Sequence, residues 1–255
     1  MSDDFGFDFT QAELEYGFRN GVFKNYDGQA PDAYGYGGIT DPVKYLKDRY
    51  GAKTVILIEG PYVLSVQNRS QSALNNSLPD DLKGKGTCSL TAIAMFMDYF
   101  RAERGYSNIE SNIYVLYEYI VRNSSLLFGG TNPFKIDNYV TNCFNYYGYS
   151  NVRGHTDNTN KISKIKSEID EGRPVIMSLS QGYYGNHTIV IRGYSVYQVT
   201  KKGFLGIGTT TNYLMLNVAD GWGTSGTVYL DVEGLDWDAA GSFGLVWNMV
   251  RAIEE

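Results

Sequence analysis

Hydrophobic and polar positions give the chain two textures, with a change near Pro174. From Cys88 to Phe100 the sequence is apolar almost all round and free of Gly and Pro until Gly105, which predicts a helix buried on every side. Thr40-Asp41-Pro42 supplies a cap and a first-turn proline for a short helix over Val43–Tyr50, stopped by Gly51. Apolar spacing predicts further helices over Ile113–Arg122, Phe134–Tyr147 and Ile162–Glu171, the last ended by Gly172 and Pro174. Thr54–Ile58 reads as a strand, and the polar stretch Ser65–Lys85 as a surface loop leading to Cys88.

Beyond Pro174 come short apolar or β-branched runs separated by Gly and Asn: Val175–Leu179, Thr188–Ile191, Tyr213–Val218, Thr227–Val232 and Leu245–Ala252. Their spacing predicts an antiparallel sheet, with the run Lys201–Gly208 extending a hairpin. Helices first and strands last argue for an α+β fold of two lobes and against alternating βαβ units. Residues 1–40 are rich in Asp, Gly, Tyr and Asn and read as irregular.

Composition narrows the function classes. A hydrophobic content of 43% with 20% charged residues is that of a globular chain. Lys and Arg total 22 against 28 Asp and Glu, a net charge of −6. That balance argues against nucleic-acid and anionic-membrane partners. No apolar run approaches the roughly 20 residues of a membrane span. The start, Met1-Ser2-Asp3-Asp4-Phe5, lacks the basic and apolar regions of a signal peptide. Two cysteines, Cys88 and Cys143, and two histidines, His155 and His187, are too few for a disulfide framework or a cysteine-only zinc site. No metal and no cofactor is expected.

The same scarcity focuses the chemistry. Cys88 enters the most apolar helix from the flexible loop Gly84-Lys85-Gly86-Thr87, where the helix dipole and unpaired N–H groups favour thiolate. The dipole is worth up to about 2 kcal/mol, so it lowers an ordinary thiol pKa of roughly 8.5 by about one unit. Deeper activation requires an imidazolium partner. His187 heads the run Thr188–Ile191, whereas His155 lies in the polar stretch Arg153–Asn158, which reads as a solvated loop. His187 is therefore the candidate base. Asp220, in Leu216–Gly223, is the leading candidate to orient it, with Trp222 as a shield and Asn217 as the competing orienting residue. Cys143 falls in an apolar helical pattern and reads as core.

Three segments in this order resemble the papain-like cysteine peptidase superfamily, in particular its bacterial C39-like branch. Gly86-Thr87-Cys88-Ser89-Leu90-Thr91-Ala92-Ile93 looks like the nucleophile opening a central helix. His187–Tyr194 looks like the histidine strand ending in Gly-Tyr, and Asp220-Gly221-Trp222-Gly223 like the segment that orients the imidazole. The resemblance implies a helical lobe whose central helix starts at the cysteine, an antiparallel sheet lobe, and a Cys88–His187–Asp220 triad hydrolysing peptide bonds through a thioester. It covers roughly residues 60 to 255, so the chain divides into an irregular segment 1–60, a propeptide or lid, and a catalytic domain 61–255. Ser89 stands where papain relatives usually carry Trp or Tyr, which favours the C39-like branch.

The family's oxyanion glutamine has no match at the usual spacing, where Leu82 stands. The nearest upstream glutamines are Gln67 and Gln71; Gln71 looping back through Asn75 to Gly86 is the candidate, beside the Cys88 backbone N–H. The implied partner is a peptide or protein substrate. A catalytically silenced binding module, or another amide hydrolase or acyl transferase on the same fold, is the rival reading. The Tyr-, Asn- and Gly-rich composition suits a secreted or cell-surface bacterial protein.

Overall fold

A computed structural model describes residues 39–127, 130–157, 162–180, 187–201, 208–222, 227–232, 235–236 and 244–254. Residues 1–38, residues 181–186 before His187, residues 202–207 within the run Lys201–Gly208, and Gly223 lie outside the described residues. In chain order the elements are α1 (Pro42–Tyr50), β1 (Ala52–Val63), α2 (Gln71–Asn76), α3 (Cys88–Glu103), α4 (Ile113–Arg122), β2 (Leu126–Leu127), β3 (Gly130–Thr131), α5 (Ile136–Tyr146), β4 (Val152–Asp157), α6 (Ile162–Asp170), β5 (Val175–Ser180), β6 (His187–Lys201), β7 (Thr209–Ala219), β8 (Val228–Asp231), β9 (Leu235–Asp236) and β10 (Gly244–Glu254).

The architecture is the expected α+β arrangement, with α3 at its centre. Every residue of α3 from Ser89 to Phe100 is buried. Its buried carboxylate, Asp98, is paired with Arg69 at 3.2 Å and Arg101 at 2.8 Å, which offsets the cost of removing a charge from water. The cap at α1 forms as the sequence predicts: Asp41 accepts from the Lys44 N–H, Pro42 opens the helix, and Gly51 closes it in the left-handed region at φ 61°.

One eight-stranded sheet runs in the order β4-β10-β5-β6-β7-β8. Strand β1 pairs with the far half of β6, where β5 has ended. All these pairings are antiparallel except that of β9 with β10. Strand alternation serves two cores. Ile176, Val190 and Ala219 face the core built on α3, α4 and α5. Met177, Ile189, Ile191 and Val218 pack with Ile165 and Ile169 of α6 in a second core.

Three elements differ from the sequence reading. Ser65–Lys85 holds the short helix α2, capped by Ser70 accepting from the Ala73 N–H. The stretch containing His155 is not a solvated loop but strand β4, registered against β10 with His155 opposite Arg251; its polar sequence shows no apolar alternation because partner side chains, not burial, hold it. Strand β6 continues past Ile191 to Lys201, although Gly193 reads as a stop.

Candidate active site

The site lies where α3, the start of β6 and the end of β7 meet. Cys88 is the first residue of α3, after Thr87, whose hydroxyl accepts from the Leu90 N–H. The thiol is half-buried, at the helix end whose first N–H groups have no intrahelical partner. Gly86 is required beside it: a Cβ there would sit 1.7 Å from Asn75 Oδ1 and 2.3 Å from the Tyr117 hydroxyl. Tyr117 donates to that same Asn75 oxygen at 2.5 Å.

His187 is 3% exposed and lies close enough to Cys88 for the two groups to shift each other's protonation. Its Nε2 lies 2.6 Å from the backbone carbonyl oxygen of Asp220. A carbonyl only accepts, so Nε2 carries the proton and Nδ1 is left as the basic nitrogen for the thiol. Trp222 stacks on the imidazole with ring centroids 4.7 Å apart and planes inclined by 23°. The ring is thus held at its edge by the Asp220 carbonyl and on its face by the Trp222 indole, which keeps water away.

Burial pushes the Cys88 thiol up, but the His187 hydrogen bond and charge, together with the Thr188 backbone N–H and hydroxyl, outweigh it and bring the thiol below its ordinary value. Burial pushes His187 down; the hydrogen bond and charge of Cys88, then the Asp220 carbonyl and carboxylate, reverse this and hold it above the usual imidazole value. Opposite shifts in two bonded groups favour a thiolate–imidazolium pair.

Asp220 is fully buried, and it reaches His187 through its carbonyl. Its carboxylate Oδ1 instead accepts from Asn68 Nδ2 at 3.0 Å and from the Trp222 N–H at 3.1 Å. Asn217 accepts at 2.8 Å from Nε of Arg192, whose Nη1 donates to the Val66 carbonyl.

Gln71 opens α2, and its N–H donates to the Gly221 carbonyl at 2.6 Å. One turn on, Asn75 Nδ2 donates to the Gly86 carbonyl at 3.5 Å. The helix carrying Gln71 is thereby joined to both the cysteine loop and the turn after β7. Gln67 is exposed and donates to Ser65, and Leu82 is buried in the core.

His155 lies on β4, its Nε2 3.5 Å from Asp157. Cys143 is buried in α5, and burial pushes its thiol up to about 12. Sequence reasoning missed Asn68, Thr188 and Arg192. Asn68 carries no motif, and Thr188 and Arg192 lie within the His187–Tyr194 segment, which assigns them no role of their own.

Among the described residues no cluster of His, Cys, Asp and Glu is placed to hold a metal, and no helix is long and apolar enough to cross a membrane. The model of the Peptidase_C39 like family matches residues 63–249. No curated protein and no solved structure gives a match.

Proposed function

We propose, from the premise that the chain belongs to the Peptidase_C39 like family, that it is a cysteine peptidase working through Cys88, His187 and Asp220. The observation that carries the reading is the pairing of Cys88, at the start of α3, with a buried His187 whose Nε2 is engaged by the Asp220 carbonyl. The Cys88 thiolate attacks the scissile carbonyl carbon, and the developing oxyanion is met by the Cys88 backbone N–H and the Gln71 side-chain amide. His187, protonated in the resting pair, gives its Nδ1 proton to the leaving amine as the C–N bond breaks. The thioester that remains is hydrolysed by water, whose proton His187 accepts, and the acid product leaves Cys88 as thiolate.

Turnover of an internally quenched peptide library tests this. Cys88→Ala and His187→Ala are each expected to lower kcat about a thousandfold or more, while His155→Ala leaves it within about twofold. Turnover that survives Cys88→Ala would overturn the reading. Transfer of the acyl group to an added amine in preference to water would reassign the chain as an acyl transferase.

A further inference from the structure

Asn68 stands on the loop between β1 and α2, outside the residues that touch the reacting atoms. Its side-chain amide is used at both ends on one turn: Nδ2 donates to the Asp220 carboxylate at 3.0 Å, and Oδ1 accepts the Gly221 N–H at 2.9 Å. The same carboxylate oxygen closes the turn by accepting the Trp222 N–H. Three residues after Asn68, the Gln71 N–H binds the Gly221 carbonyl. The peptide groups flanking Gly221 are therefore clamped from residues 68 and 71, and Gly221 itself takes a positive φ of 79°, which a glycine adopts without steric cost.

The clamped turn presents the two groups that hold the imidazole, the Asp220 carbonyl oxygen and the Trp222 ring. A carbonyl orients a histidine only as well as its own peptide plane is fixed. Among the described residues the titratable and charged groups at this turn include Asp220 itself, His187 and Arg192 from β6, and Cys88 from α3 across the imidazole. We propose that Asn68 is a positioning residue of the reaction: by bridging the Asp220 carboxylate and the Gly221 N–H, it aims the Asp220 carbonyl at His187. The inference rests on the cysteine peptidase reading. It gives the Asp220 carboxylate a different task from a direct ion pair with the imidazolium, since the carboxylate acts through Asn68 and the turn.

Single variants at the two positions separate these roles. Asn68→Ala removes both hydrogen bonds, and is expected to move the acid limb of Cys88 alkylation up by about one pH unit. It should also lower peptide kcat about tenfold or more while KM stays within about threefold, because residue 68 does not meet the substrate. Asn68→Asp sets two carboxylates against one another and should lose a comparable factor in kcat. Asp220→Asn keeps Oδ1 as the acceptor of both the Asn68 and the Trp222 hydrogen bonds and removes only the charge. It is expected to lower kcat less than Asn68→Ala does.

An Asp220→Asn variant that melts like wild type yet is slower than Asn68→Ala would overturn the proposal and assign the carboxylate a direct role. An unchanged acid limb in a folded Asn68→Ala would also overturn it. Failure of the underlying reading looks different: the wild-type protein itself would show no low-pH thiolate. If Asn68→Ala does not fold, Asn68→Asp, which keeps an acceptor for the Gly221 N–H, stands in for it in both comparisons.

Discussion

Cys88 is set by opposing pressures at a single sulfur atom. Burial favours the neutral thiol, while His187 and Thr188 favour the thiolate and prevail. Thr188 contributes a backbone N–H and a hydroxyl, and the hydroxyl lies 2.7 Å from that of Ser89, with both side chains buried. If Thr188 donates to sulfur, Ser89 must donate to Thr188, giving a one-directional chain that ends at the nucleophile. Ser89, which occupies a position where relatives of papain carry an aromatic residue, thus has a use here. Thr188→Val keeps the shape and the backbone donor but deletes the hydroxyl. It is expected to raise the Cys88 pKa by about half to one unit, as for one net hydrogen bond of about 1 kcal/mol. Thr188→Ser should restore most of the loss. The acid limb of alkylation reads the shift directly, and Cys143, buried with its thiol pushed up to about 12, stays silent below that range. A limb unmoved by Thr188→Val would remove the hydroxyl from the thiolate's support.

Strand β6 is the element on which the site depends, since it carries His187 at one end and β1 along the other. A register shift between Ile191 and Gly193 against β7 marks where the strand changes neighbours from β5 to β1. At Gly193 a Cβ would lie 2.1 Å from the Tyr62 carbonyl oxygen and 3.0 Å from Val63 Cα. These are backbone atoms and cannot swing away. Gly193→Ala is therefore expected to cost about 2 kcal/mol or more, seen as a lower urea midpoint at unchanged slope; an unchanged midpoint would show that β1 yields freely.

The same glycine explains why the sequence exposes only half of β6, because in a single sequence it is indistinguishable from a strand end. Helix α3 is fully legible, since thirteen successive positions from Cys88 to Phe100 lack a polar face. Strand β4 is not: Gly154 packs against the Asp137 backbone, and Asp157 is held by Arg251 at 2.6 Å, partners that only the folded chain supplies. The helix α2 hides in a polar stretch because its main marker is Ser70, a cap common in loops as well.

At the scale of the whole molecule, the site joins two lobes through a few connections. Cys88 comes from the helical core, His187 and Asp220 from the sheet, and the loop before α2 ties them together through Asn68, Gln71 and Asn75. Arg192 adds a further tie, from β6 to Val66 and Asn217. With two histidines in the whole chain, the choice of His187 is legible in the sequence. The choice of Asp220 is legible as a position but not as an atom, because whether its carboxylate or its carbonyl meets the ring depends on the turn that Asn68 closes.

The central claim is that Cys88 and His187 form a thiolate–imidazolium pair. Its pH signature follows from the two shifts: with Cys88 lowered and His187 raised, the pair exists from below the ordinary thiol range to above the ordinary imidazole value. The most direct test is the alkylation rate of Cys88 from about pH 4 to 9 in wild type and His187→Ala. The account predicts a reactive plateau persisting far below the ordinary thiol pKa in wild type and absent from the variant. Reactivity in the wild-type protein that rises only near the ordinary thiol pKa would contradict it.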